Sequence, residues 1–297
     1  MIFPTKCCAF RGGPGVSDRW AAWLLERRHG GDEERLQEML EQLGRTRDRV
    51  LDNARLGPDD VVLDAGCGDG LIAFGALERG AAKVIFGDVS AELLDVCREI
   101  AAGDPRCEFV LGSVDELPLP GESVDVATTR SVLIYLEDKR RALDELYRVL
   151  RPGGRLSIFE PINAFEFPQP EQRFAQWDVA PVAELSNRVK AYYRSVVSDQ
   201  TLIDFDERDL LRWTEEAGFA EVGMDYEVRI EPGYRVANWE AYERSSGNPL
   251  APTVREAAEA ALGPEDAEHF LAHLRSENDA GRGIDRYAVA FLWTVKR

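Results

Sequence analysis

Asp64, Gly66, Gly68 and Gly70, with Asp88 beyond them, are the residues of this chain whose types and spacing point most directly to chemistry. The first four belong to Val-Val-Leu-Asp-Ala-Gly-Cys-Gly-Asp-Gly, residues 61–70, an apolar run that ends in an acid and then places glycines at alternate positions. Glycines let a turn adopt conformations and close approaches that a Cβ would block. A ligand can then lie against bare backbone at the N-terminus of the next helix. A dinucleotide-binding turn needs G-x-G-x-x-G, but Leu71 stands at the third glycine position and Gly70 comes one residue early. A carboxylate at Asp64 sits awkwardly beside a pyrophosphate and suits an ammonium group, such as that of a methionine moiety. Asp88 lies 18 residues past Gly70 (88 − 70), near the spacing at which such an acid accepts hydrogen bonds from ribose hydroxyls. On its own it would read as readily as a helix N-cap.

The elements that position these groups follow from the apolar pattern. Val61 to Leu63 has the branched composition of a strand buried on both faces. Leu71 to Glu78 reads as a crossover helix ended by Arg79-Gly80, and Lys83 to Asp88 as the second strand. Ser90 to Ala102 is helical by its spacing of Leu93, Leu94, Cys97 and Ile100. Cys107 to Leu111, Val124 to Thr129 and Arg155 to Glu160 are further strands. Lys139 to Leu150 reads as an amphipathic helix, and Arg151-Pro-Gly-Gly154 as a tight turn. Strand and helix thus alternate from 61 to 160, which predicts a parallel, doubly wound sheet. Gly112 to Pro118 falls at the carboxyl ends of the strands, the edge where such sheets gather ligands.

The run from Val61 to Pro161 resembles the core of class I S-adenosylmethionine-dependent methyltransferases, in the branch of ubiquinone and menaquinone biosynthesis and many natural-product enzymes. The glycine loop, Asp88, Leu117-Pro118, Ser123-Val-Asp125 and Val149-Leu-Arg-Pro-Gly-Gly-Arg155 carry the resemblance, over about a third of the chain. It implies a Rossmann-like α/β sheet of seven strands, mostly parallel with the last antiparallel, and S-adenosyl-L-methionine as cofactor. It further implies that Asp64, Gly66, Cys67 and Gly68 surround the methionine end, Asp88 the ribose, and Val89 one adenine face. Many relatives have an aspartate at the place of Ser113; here the Ser113 hydroxyl and the Val114 amide remain to meet the adenine. Arg130 and Ser131 would pass beside the methionine portion, unless Arg130 instead pairs with Asp64 or another acid at this rim. Cys67 is read as a small spacer in the loop.

Methyl transfer needs an acceptor placed in line with an already electrophilic methyl group, so acids and bases are optional. Three candidates stand near the expected edge. Tyr135 would orient a substrate or pack under a lid. Glu160, ending a strand before Pro161, would act as a base facing the pocket or cap a loop. His29, in Trp20 to His29, would fold over the cofactor or sit at the surface. His269 and His273 share a helical face, but no third ligand is evident and no metal is expected.

The flanks complete the domain plan: an N-terminal helical lid at 1–56, the core at 57–160, a cap segment at 161–204, core again at 205–232, a helical cap insertion at 233–283 and a closing strand at 284–297. Both cap segments are rich in aromatics, including Phe165, Phe167, Trp177, Tyr234 and Tyr242. They favour an apolar or aromatic small-molecule acceptor for O-, N- or C-methylation. The competing readings are a non-catalytic cofactor-binding protein whose cap recruits a partner, and a protein methyltransferase.

Composition narrows the classes further. The 297 residues carry 36 basic and 54 acidic side chains, a net charge of −18, which disfavours nucleic acid and anionic membranes as partners. Arg27-Arg28-His29 is too short a basic stretch to reverse this. No run approaches a membrane span, and no leader pattern is evident. A cytoplasmic enzyme, with homo-oligomerisation open, is the expectation. The five cysteines have no paired C-x-x-C units and read as reduced thiols. Cys7 and Cys8 are adjacent but are taken as incidental.

Overall fold

The computed structural model describes residues 18–197 and 200–297; Cys7 and Cys8 lie outside the described residues. Seven strands form one sheet: β1 (Val61–Ala65), β2 (Lys83–Asp88), β3 (Cys107–Leu111), β4 (Val124–Arg130), β5 (Leu150–Pro161), β6 (Ala220–Pro232) and β7 (Ile284–Val295). Their spatial order is β3-β2-β1-β4-β5-β7-β6. The first five pair in parallel, and β7 runs antiparallel to both β5 and β6. This is the seven-stranded, mostly parallel Rossmann-like sheet with its last strand reversed.

Ten helices accompany it among the described residues: α1 (Arg19–Ala22), α2 (Glu33–Asn53), α3 (Leu71–Glu78), α4 (Ala91–Ala101), α5 (Lys139–Val149), α6 (Ala183–Val196), α7 (Glu207–Glu216), α8 (Trp239–Glu243), α9 (Val254–Leu262) and α10 (Pro264–Asp279). Two apolar layers sandwich the sheet. On one face Val50 and Leu51 of α2 and Ile72 of α3 pack with Val62 and Phe86. On the other, Leu143 and Leu146 of α5 and Leu210 of α7 pack with Leu63 and Leu156. Successive strand residues point to opposite faces, so Val62 and Leu63, both 0% exposed, show why β1 is apolar without alternation. Each such side chain contributes about 1.5–3 kcal/mol by leaving water.

The boundary at 150 differs from the sequence expectation. Leu150 to Gly154 was expected to end a helix and turn; instead Leu150 begins β5, pairing with Val124 before a bulge. The Gly153 amide donates to the Lys296 carbonyl at 2.7 Å, and the Lys296 amide to Gly154 at 2.8 Å. The end of the chain therefore supplies backbone partners that no local signal discloses.

Residues 161–204 and 233–283 pack on each other around one aromatic cluster, with Trp177 and Phe270 at 1% and 0% exposure. Trp177 meets Trp239 and Tyr242 edge-on, with ring centroids 5.4 and 5.3 Å away. Fully buried rings in such edge contacts are a hydrophobic core in their own right. No helix among the described residues is long and apolar enough to cross a membrane.

Candidate active site

The glycine loop is stitched to the second strand by its own backbone. The amides of Gly66 and Cys67 donate to the Gly87 carbonyl at 2.8 and 2.9 Å, and the Gly68 amide donates to Asp88 Oδ2 at 2.8 Å. Gly66 has φ +76°, and a Cβ there would lie 2.3 Å from Val132 Cγ2. The turn thus needs glycine for both conformation and space. Asp88 is 7% exposed and its Oδ1 also accepts the Ser90 amide at 2.9 Å. Burial raises its pKa, while the Ser90 and Gly68 amides oppose the rise.

Asp64 lies beneath the loop, 1% exposed, accepting from the Ala73 amide at 3.0 Å and the Thr128 hydroxyl at 3.1 Å. Burial pushes its pKa up to about 7, against the pull of Thr128, Ala73 and the Arg130 charge. A cation brought nearby would favour its ionised form. The Cys67 thiol is held neutral, raised first by its Cys97 contact and then by burial, so it offers no thiolate nucleophile at neutral pH. Val89 is 51% exposed beside Asp88, the Ser113 hydroxyl donates to Asp115, and Val114 is buried.

Arg130 ends β4 half-buried, and its guanidinium makes no hydrogen bond or ion pair with any described residue. The pairing with Asp64 raised by its sequence position is therefore absent, although the two charges feel each other through space. Burial lowers the Arg130 pKa, and the strongest opposing charge is that of Asp69. A desolvated guanidinium without a partner is costly, and a ligand anion would complete it. Ser131 follows at φ +56°, its amide donating to the Phe159 carbonyl at 2.9 Å.

Of the two roles open to Glu160, a base facing the pocket or the cap of a loop, the geometry matches the cap: its carboxylate turns inward and is 0% exposed. Oε1 accepts the amides of Val132 and Leu133 at 2.9 Å each, and Oε2 that of Ile134 at 3.4 Å. The turn after β4 has amides with no intrahelical acceptor, and this carboxylate supplies one. Burial pushes its pKa up to about 7, opposed by those three amides and Arg130. Tyr135 closes the same turn, its hydroxyl made less acidic first by burial and then by Glu160.

The N-terminal segment bridges this site and the cap. The Ser90 hydroxyl donates to Asp18 Oδ2 at 2.5 Å, and Trp20 meets Tyr135 edge-on with centroids 4.9 Å apart. After α1 the chain widens into a π-helical turn at Trp23–Arg27. Leu24 Cδ1 there lies 3.1 Å from where a Gly68 Cβ would be, and the Arg28 guanidinium reaches Asp69 at 3.3 Å. On the far side the Trp23 indole donates to the Ser246 carbonyl at 2.8 Å, and Arg27 pairs with Glu256 at 2.7 Å. His29 is 7% exposed rather than superficial, with Nε2 at 3.0 Å from the Leu25 carbonyl and Nδ1 unpartnered. His273 contacts the Asp178 carbonyl at 2.8 Å, and His269 is exposed.

A cavity of about 290 Å³ opens beside this edge, between the end of β5, the start of β7 and the cap. Phe167, Trp177, Tyr234, Tyr242 and Tyr287 supply its rings, and Asp285 is among its polar groups. Arg28, Asp69 and Thr128 were not singled out from the sequence. Asp69 carries a signal, an acid inside a glycine loop, whereas Arg28 and Thr128 act across 41 and 64 residues.

The crevice suits S-adenosylmethionine by its own features: a glycine cradle that a Cβ would fill, a buried acid at the end of β2 and, at the rim, a cation unpaired among the described residues. Comparison with known proteins agrees. Residues 63–158 match the family described as "Methyltransferase domain". The chain is 37% identical over 123 residues to an arsenite methyltransferase of Halobacterium salinarum, covering 40% of this chain and 32% of that protein. It is 34% identical over 168 residues to a demethylmenaquinone methyltransferase of Clavibacter sepedonicus, covering 54% and 66%. The chain thus spans less than two thirds of either curated relative. Its fold is shared with Haemonchus contortus phosphoethanolamine N-methyltransferase 2, solved with S-adenosyl-L-methionine, at 18% identity and TM-score 0.51, over 85% of this chain and 52% of that one. By the matched segment and the sheet built around it, residues 63–158 of the chain carry a methyltransferase domain set in a Rossmann-like fold.

Proposed function

We propose that the protein methylates a small apolar or aromatic molecule held in the cavity beside β5 and β7. The observation that carries this reading is the placement of the glycine-loop crevice and the ring-lined cavity on the same carboxyl edge of the sheet, separated by the ends of β4 and β5. When bound, S-adenosylmethionine supplies a methyl group activated by its sulfonium. Gly66, Cys67 and Gly68 give it a backbone floor, and Asp88 accepts from the ribose hydroxyls while holding the loop. Val89, Ser113 and Val114 flank the adenine. Arg130 meets the methionyl carboxylate, and Asp64 favours the ammonium through space. Ser131 carries the chain past this end.

The residues around the acceptor position rather than activate. Glu160, with its oxygens spent on three amides, sets the turn that carries Tyr135, and is a positioning residue. Tyr135, Trp20 and His29 belong to the closure formed with the N-terminal segment, which excludes water from the transfer. The cavity rings orient a flat or apolar acceptor. Incubation with methyl-labelled cofactor and a metabolite extract, followed by identification of the labelled product, tests the reading. A labelled compound small enough for the cavity is expected; label found only on protein or nucleic acid would overturn it.

A further inference from the structure

At one end of the sheet, β6 pairs only with β7 among the described residues, so its outer row of backbone donors and acceptors lacks a strand partner. Edge strands are commonly blunted by lysine, internal proline, bulges or short length. Here the bulge lies back at Ala220/Gly223 and the proline only at the terminal Pro232. From Met224 to Glu231 the strand is regular and contains no lysine. On one face Val222 and Met224 pack into the core, but Tyr226, Val228 and Ile230, continuing that face, are 36%, 44% and 55% exposed. The opposite face carries Asp225, Glu227, Arg229 and Glu231. Arg49 of α2 pairs there with Asp225 at 2.7 Å and with Glu227. Arg229 lies only loosely against Glu227, at 3.9 Å, and is 55% exposed.

The segment Tyr-Glu-Val-Arg-Ile, residues 226–230, is complementary to itself when reversed. Antiparallel pairing with a copy of itself about Val228 sets Val228 opposite Val228, Tyr226 opposite Ile230, and Glu227 opposite Arg229 twice. Apolar and opposite-charge pairs directly across a ladder each stabilise by about 0.2–1 kcal/mol. A two-fold axis supplies both copies of each contact and uses up the β6 edge of both chains, so pairing through β6 stops at two. The Asp225–Glu231 pair is unfavourable, but it lies at the margin, and Arg49 already compensates Asp225.

We propose that this edge is the docking surface for a second copy of the chain, joining two sheets antiparallel through β6. Because β6 runs with β1 to β5, the joined stretch lies toward the carboxyl edge. Tyr287, which lines the acceptor cavity, stands opposite Arg229 on the neighbouring strand. The second copy thus buttresses β6 behind β7, the strand that lines one wall of the cavity, a consequence that rests on the proposed acceptor site; the dimer itself does not.

The test is sedimentation velocity on the full chain from micromolar to about 100 µM, a range suited to small interfaces. The wild type is expected to show twice the chain mass at the upper concentrations. Arg229→Glu and Glu227→Arg each set like charges across the ladder and should weaken self-association about tenfold. Mixed together, the two variants become complementary and should form a heterodimer. A cooperative melting transition and unchanged cofactor affinity in each variant show that the chain is still folded, with a lower melting temperature expected for Glu227→Arg alone, which gives up the Arg49 pair. A wild type that stays monomeric at 100 µM, or a dimer indifferent to both substitutions and to their mixing, would overturn the proposal. Cofactor binding and methyl transfer by a monomer would leave the proposed function standing while removing this interface.

Discussion

The Gly68 amide donates to Asp88 Oδ2 at 2.8 Å, so the carboxylate assigned to the ribose also fixes the glycine loop. One side chain therefore couples the two ends of the cofactor crevice, and its loss acts on binding and on the fold together.

Replacing Asp88 by Ala removes the acceptor of two buried amides, those of Gly68 and Ser90. Each orphaned group costs about 1–3 kcal/mol, so the melting temperature falls. Affinity for S-adenosylhomocysteine, read by calorimetry, is expected to drop about a hundredfold, beyond what a general loss of stability explains. Near-unchanged affinity would remove Asp88 from the site.

Arg130→Ala should behave in the opposite way. Its guanidinium has no protein partner among the described residues, so thermal stability holds or rises once a desolvated charge is gone. Affinity for S-adenosylhomocysteine should fall about tenfold or more, as for a lost charge-assisted hydrogen bond. A variant that loses stability and keeps its affinity would mark Arg130 as structural.

The pH dependence of binding follows from Asp64. Its carboxyl pKa in the folded chain, about 7, lies above the ordinary 3.8, so the folded state holds the proton more tightly. That contribution to stability is fully present below the unfolded value and is lost as the pH rises through 7. An incoming ammonium favours the ionised form, so cofactor affinity should climb with pH up to about 7 and then level. Asp64→Asn should flatten the climb; a slope that survives the substitution assigns it to another group.

For the turn after β4, Glu160→Gln keeps one carbonyl acceptor but turns an NH₂ toward amide donors. It should cost about 1–3 kcal/mol of stability and raise KM for both substrates as the Tyr135 turn loosens. A base would instead show a lower kcat whose pH profile loses a limb, with stability and KM intact.

Much of the fold was legible because each core strand carries its own signal. Val61 to Leu63 and Lys83 to Asp88 are apolar runs buried on both faces, and the alternate glycines announce the loop. Long-range pairings left no such trace. Glu160 reads locally as a strand-end acid, and only the fold brings it to the amides of Val132 to Ile134, 26 to 28 residues away. Arg28 reads as one charge in a short basic stretch flanked by acids, yet it is buried against Trp23 and Asp69. The acceptor cavity is harder still, since its rings come from two cap segments and β7, and their spacing along the chain carries no common period.

The position of the bound cofactor product tests this arrangement most directly. A crystal structure of the full chain with S-adenosylhomocysteine should place its ribose hydroxyls on Asp88 and its carboxylate on Arg130, each within about 3.2 Å. The sulfur should lie on the side of the cavity lined by Trp177 and Tyr287. A ligand bound away from the glycine loop, or one whose sulfur is walled off from that cavity, would contradict it.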